Sequence, residues 1–169
     1  MAARTVSVDL AATERERERL RALYLAAPAQ RAHSTARGVH HIALMCADVE
    51  RTIRFYQGLL GFPLVEIFEN RDYRGSTHLF FDIGLDNSLA FFDFPGLDLG
   101  PYAEVLGGLH HIALSVDHAV WDAARAKLEE AGVAYHIDSG ISMYFSDPDG
   151  VRLELIAEEL GSLYGTPLH

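Results

Sequence analysis

The sequence is poor in cysteine, in positive charge and in long apolar runs, and each shortage excludes something. A single cysteine, Cys46, stands among 169 residues, so no internal disulfide forms and nothing calls for an oxidising compartment. Lysine and arginine number 14 against 24 aspartates and glutamates, a net charge of −10. That balance argues against nucleic acid or an acidic membrane as partner. No apolar run approaches the ~18 residues of a membrane-spanning helix. Residues 1–9 lack the apolar stretch of a signal peptide, so the expected location is cytoplasmic. What remains is 49% hydrophobic and 22% charged, an ordinary globular composition. A chain of this length buries roughly 70% of its unfolded surface. It therefore suits one compact domain or two small modules sharing a core.

The charge is unevenly spread. Residues 1–37 hold seven of the 14 basic and four of the 24 acidic residues, a net of +3, which leaves −13 for residues 38–169. Within the basic part, Glu14-Arg15-Glu16-Arg17-Glu18-Arg19 alternates in sign before Leu20, Leu23 and Tyr24. This predicts a solvated helical arm over residues 9–26 with one modest apolar edge, lying on the acidic body or on a second subunit.

An internal repeat organises the rest. Gly38-Val39-His40-His41-Ile42-Ala43-Leu44 returns as Gly108-Leu109-His110-His111-Ile112-Ala113-Leu114, six of seven residues identical at an offset of 70. An acidic residue follows each copy, Asp48 or Asp117, and then a helical pattern: Val49 to Leu60, stopped by Gly61, and Ala119 to Ala131, stopped by Gly132. Strand signals follow at Phe62–Phe68, Ser76–Ile83 and Ser88–Phe94, and again at Val133–Ile137, Ile141–Ser146 and Val151–Ala157. Turns at Asp86-Asn87 and Asp147-Pro148-Asp149-Gly150 separate the last two strands of each copy.

The predicted fold is therefore α+β: two paired β-α-β-β-β modules forming a curled mixed sheet around a cup-shaped site, with an N-terminal helical arm. The boundaries read as an arm at 1–37, modules at 38–97 and 108–157, a linker at 98–107 and a tail at 158–169. A lone helix covers only one face of each sheet, and the two bare faces curling together would make a ligand cup.

Side chains alternate across a strand. Ile42 and Leu44 belong under the helix with His40, which leaves His41, Ala43 and Met45 for the cup. The second copy divides alike, with His111, Ala113 and Ser115 toward the cup and His110 away from it. On the last strand Leu153 and Leu155 face the core, and Arg152, Glu154 and Ile156 face the cup. His41, His111 and Glu154 thus point into one concavity. Two neutral imidazoles and one anion hold a divalent metal while leaving coordination positions open. A carboxylate amid Leu153, Leu155 and Ile156 is also costly to bury without a cation.

The doubled unit resembles the vicinal oxygen chelate superfamily of glyoxalases, extradiol ring-cleaving dioxygenases, fosfomycin-resistance transferases and bleomycin-binding proteins. The motifs that carry the resemblance are His40-His41-Ile42-Ala43-Leu44, Phe55-Tyr56 through Leu60-Gly61-Phe62, and Tyr144 through Leu155 with its Asp147-Pro148-Asp149-Gly150 turn. It covers residues 38–157. The resemblance implies metal ligands at His41, His111 and Glu154. Glyoxalases and related epimerases usually add a fourth ligand from the last strand of the first module. Alignment through Asp86-Asn87 puts Phe91 there, and a one-residue slip puts Ala90 or Phe92, none of which binds a metal. A three-ligand site is the expectation. Three-ligand relatives commonly carry a tyrosine ten residues before the glutamate, where Tyr144 stands. Fosfomycin enzymes tend to have a threonine where this chain has Ala43.

Dioxygenases use an additional histidine as acid or base, a role open to His78 or His136. Arg71 and Arg74 are candidates to meet an anionic substrate at the mouth of the cup, and Tyr73 lies in the same loop. The apolar lining expected from Phe80 or Phe81, Phe91 or Phe92, Met45, Met143 and Tyr144 suits an aromatic or hydrophobic substrate. The implied function is a non-haem Fe(II) dioxygenase-like oxygenase. The alternatives are a Lewis-acid isomerase, lyase or thiol transferase using Mn, Ni, Co or Zn, and a small-molecule sequestering protein. Relatives are frequently dimers, so a homodimer is expected.

Overall fold

A computed structural model describes residues 7–168. The described chain divides into two compact units, one comprising the arm with the C-terminal segment and the other Ala36–Leu160.

In the larger unit each repeat folds as a four-stranded mixed sheet with one helical segment. The first module contains strands β1 (His41–Met45), β2 (Leu64–Glu69), β3 (Thr77–Asp82) and β4 (Ser88–Phe92), and the second β5 (Ile112–Ser115), β6 (Tyr135–Asp138), β7 (Ser142–Ser146) and β8 (Arg152–Ile156). The strand orders β1-β4-β3-β2 and β5-β8-β7-β6 are the same arrangement twice, and neither sheet closes. In both, the first strand pairs parallel to the last, and the remaining pairings are antiparallel.

The helices start by the same device. Asp48 accepts a hydrogen bond from the Arg51 N–H, and Asp117 accepts one from the Val120 N–H. Each satisfies an amide left without an intrahelical acceptor. Helix α3 (His118–Glu130) is regular and buries Trp121, Ala124 and Leu128. The helix expected over Val49–Leu60 differs. It begins as α2 (Val49–Ile53) and continues as a π-helical stretch, Arg54–Leu59, in which the consecutive Phe55 and Tyr56 are both buried. Gly61 follows with φ +80° and Gly132 follows α3 with φ +67°, the left-handed conformation that glycine tolerates at a helix end. Strand β2 starts at Leu64 rather than Phe62, because the Gly61 turn and Pro63, which lacks an N–H, delay pairing.

Alternation places Leu79, Phe81, Leu89 and Phe91 of the first sheet, and Met143, Phe145, Leu153 and Leu155 of the second, in one continuous core with both helices. The modules join through these helix-covered sides. Tyr56 donates to Asp147 Oδ2 at 3.0 Å, and the Phe55 and Phe145 rings lie 6.2 Å apart. Asp149 accepts from the Ala47 N–H at 3.2 Å and from Arg51 at 2.5 Å. Burial pushes the Asp147 carboxyl above its ordinary value and the Tyr56 phenol well above its own. Each sheet keeps a helix-free face turned away from this joint.

In the smaller unit, α1 (Leu10–Tyr24) is capped by Asp9, carries Glu14–Arg17 and Glu16–Arg19 ion pairs, and buries no residue. The tail forms a short hairpin, β9 (Ser162–Leu163) and β10 (Thr166–Pro167), that the sequence reading lacks. Its two-residue turn, Tyr164-Gly165, has positive φ at both positions, 52° and 78°, as a primed turn requires. Arg31 donates to the carbonyls of Pro167 and Leu168 at 3.1 and 2.9 Å.

Candidate metal centre

The centre of the second sheet's helix-free face is one cross-strand row: Ala113, Glu154, Tyr144 and His136. Glu154 is 1% exposed, and both its carboxylate oxygens are buried without a hydrogen-bond partner. His111, immediately before β5, brings Nε2 to 3.1 Å from Glu154 Oε2. That contact is close yet misaligned for hydrogen bonding, so the two groups converge without satisfying each other. A buried anion with orphaned oxygens beside an imidazole nitrogen fits a divalent cation. The His111 and Tyr144 rings meet edge-on at 5.7 Å.

His111 is held from behind. Arg152 Nη1 lies 3.1 Å from His110 Nε2, and a guanidinium only donates. A neutral His110 then carries its proton on Nδ1, 2.7 Å from His111 Nδ1. The proton of a neutral His111 consequently sits on Nε2, and a cation held there would have to displace it. Glu104 in the linker pairs with Arg152 at 2.9 Å. The sequence reading missed this support. Arg152 was legible as a same-face neighbour of Glu154, whereas nothing in the linker pattern marks Glu104.

The first sheet repeats half of this arrangement. His40 and His41 approach Nδ1 to Nδ1 at 2.9 Å, matching His110 and His111. The row corresponding to Ala113–Glu154–Tyr144 is Ala43–Ala90–Phe80. The fourth-ligand position is therefore Ala90, and Phe91 turns into the core. Alignment on the turns failed because the second copy's turn is longer. Met143, expected as lining, belongs to the helix-covered side, as do Phe81 and Phe91, the alternatives to Phe80 and Phe92.

Phe80 and Phe92 do occupy the helix-free face, with Met45, which is 58% exposed. His78 shares that face, stacked on Phe92 at 3.8 Å and flanked by Phe80 at 4.2 Å. Burial, then the neighbouring His41 and Arg71, push its pKa down. Arg71 and Arg74 are exposed, and Tyr73 donates to the Pro95 carbonyl.

Within the single chain His111, Glu154, Tyr144 and His136 are thus brought together on one sheet, while His41 and His78 lie on the other. Among the described residues no three histidine, cysteine or acidic side chains gather as a metal site.

Two equivalent modules, each opening on a paired-histidine strand and one ending on a buried glutamate, define a class: a paired-module α+β protein with donors suited to a divalent cation. The chain belongs to the Glyoxalase/Bleomycin resistance protein/Dioxygenase superfamily, whose family model matches residues 38–155. It is similar to MhqA of Bacillus subtilis, provisionally named a ring-cleaving dioxygenase, at 31% identity over 145 residues. That match takes in 78% of this chain but 43% of MhqA, so the chain spans less than half of that relative. The lactoylglutathione lyase of Escherichia coli O157:H7 is 31% identical over 129 residues, covering 70% of this chain and 91% of the lyase. The same fold occurs in the fosfomycin resistance protein FosX of Listeria monocytogenes, solved with Mn(II), with a TM-score of 0.58 at 21% identity over 75% of this chain and 96% of FosX. No described helix is long and apolar enough to cross a membrane.

Proposed function

We propose that this chain is a metal-dependent enzyme of the superfamily, a dioxygenase-like oxygenase that uses Fe(II) on an aromatic or hydrophobic small molecule. The observation that carries the metal reading is Glu154, buried with both oxygens unpaired and with His111 Nε2 3.1 Å away. His41, His111 and Glu154 would hold the metal. Because His41 stands on the other sheet, the set is completed when the first-sheet face of one copy meets the second-sheet face of another, in a homodimer. Bound there, Fe(II) supplies electrons for dioxygen and positive charge for anionic oxygens.

The chain's own residues do the rest. Tyr144, beside Glu154 in the same row, orients a substrate hydroxyl, and His136, next along that row, accepts its proton. Phe80, Phe92 and Phe68 exclude water from the facing side. Ala90 at the fourth-ligand position favours this three-ligand chemistry over that of a four-ligand lyase.

Elemental analysis of protein purified without added metal or chelator tests the reading, with His41→Ala and Glu154→Gln as controls. Iron near one per chain, lost in both variants, followed by oxygen uptake with catechol, is the expected result. Stoichiometric manganese, nickel, cobalt or zinc without oxygen uptake would move the assignment to Lewis-acid isomerase, lyase or transferase chemistry. No metal after reconstitution would sink the site and leave a binding protein.

A further inference from the structure

Apart from the Glu154 oxygens, two buried side-chain polar atoms among the described residues lack a hydrogen-bond partner: His78 Nε2 and Ser142 Oγ. They are not scattered. In the first sheet Met45, Phe92 and His78 form a cross-strand row. In the second sheet the corresponding row is Ser115, Ile156 and Ser142. His78 stands two residues before Phe80 and Ser142 two residues before Tyr144, on the helix-free faces that carry His41 and Glu154. The two orphans therefore occupy equivalent positions of the repeat, one row beyond the row of Glu154.

A buried polar atom without a partner costs stability, and native structures contain few. Orphans at equivalent places in two modules whose sequences there differ, histidine in one and serine in the other, indicate a shared requirement for a polar atom. Ser142 is 0% exposed, so water does not satisfy it from bulk solvent. His78 is wedged among Phe92, Phe80 and Phe68, which fixes its ring. Burial favours its neutral form, in which Nε2 offers either a proton or a lone pair.

We propose that His78 and Ser142 are a substrate-positioning pair that hydrogen-bonds an uncharged polar substituent, a hydroxyl or carbonyl, on the edge of an aromatic substrate away from the metal-facing edge. This rests on the preceding reading, in which the two helix-free faces meet as His41 joins His111 and Glu154. One copy then contributes His78 and the other Ser142. The ligand class follows from the surroundings: aromatic side chains around His78 match a planar ring, and two neutral groups match a neutral substituent. In the sequence, His78 is legible only as a candidate acid or base, and nothing marks Ser142.

The test compares binding of catechol and of 1,2,4-trihydroxybenzene, which differ by one hydroxyl, to full-length metal-loaded protein without oxygen. His78→Phe, Ser142→Ala and the double variant are measured beside the wild type, with metal content and metal-free melting temperature recorded for each. The expected result is a preference of at least about tenfold for the triol in the wild type, lost in the variants at unchanged metal content. Ser142→Ala should also melt no lower than the wild type, since it removes an unpaired hydroxyl. An undiminished preference in the variants, no preference in the wild type, or a lower melting temperature for Ser142→Ala overturns the pair. If metal and catechol bind normally, such a result leaves the preceding reading standing. If the wild type binds neither metal nor catechol, that reading falls and takes the pair with it.

Discussion

Glu154 is expensive where it stands. Its carboxylate is buried on the face opposite Leu153 and Leu155, beside Tyr144, with neither oxygen hydrogen-bonded, so in the metal-free protein only the His111 ring approaches its charge. Glu154→Gln keeps the shape and removes the charge. It should raise the stability of the metal-free protein by about 1–3 kcal/mol, read by chemical denaturation, while abolishing metal uptake. Added metal should reverse the order, stabilising only the wild type. A loss of stability in metal-free Glu154→Gln would mean that the carboxylate is bonded within the fold. Asp147 presents the opposite economy. It accepts from Tyr56 and from the Asp149 and Val151 amides, yet burial outweighs these bonds and raises its pKa above 3.8. The folded state then holds this proton more tightly than the unfolded one, so Asp147's contribution to stability falls as pH rises through its raised folded value. The stability of the wild type relative to Asp147→Asn should decline over the window beginning just above pH 3.8, and a rising difference there would refute the assignment.

At the scale of elements, the repeat is carried by local chemistry that the sequence displays. Asp48 and Asp117 each cap a helix that packs under its sheet, and Asp48→Ala and Asp117→Ala should each cost about 1 kcal/mol of unfolding free energy. Urea midpoints that did not move would show the caps to be dispensable. Strand alternation in the sequence likewise separates Ile42, Leu44, Leu153 and Leu155 from His41, His111 and Glu154. Register between strands was less legible. Turn matching set Phe91 against Glu154, whereas parallel pairing of β1 with β4 and of β5 with β8 sets Ala90 there. A one-residue slip reverses a strand's two faces, and turns of unequal length hide that slip. The π-helical stretch at Arg54–Leu59 also left no readable mark, because its widened hydrogen bonds answer to packing of Phe55 and Tyr56 rather than to propensity. Contacts between distant segments, such as Glu104 with Arg152, have no local pattern at all.

For the whole molecule, the decisive question is which chain gives which ligand. The modules of one chain join through their helix-covered sides at Tyr56–Asp147 and Arg51–Asp149, and His111 and Glu154 meet without His41. In the proposed twofold dimer, one chain's first-sheet face and the other's second-sheet face would occur together twice, and each pairing would bring His41 to the His111 and Glu154 of the other chain. Two damaged chains should then repair each other. A His41→Ala chain keeps His111 and Glu154, and a Glu154→Gln chain keeps His41. Their heterodimer regains one intact site and loses the other doubly. Each variant alone should bind no metal, but equal amounts unfolded and refolded together should recover about a quarter of the wild-type metal, since random pairing makes half the dimers mixed. Dilution to monomer should release that metal. A ligand set contained within one chain predicts no recovery from the mixture, because every chain would remain damaged however it was paired.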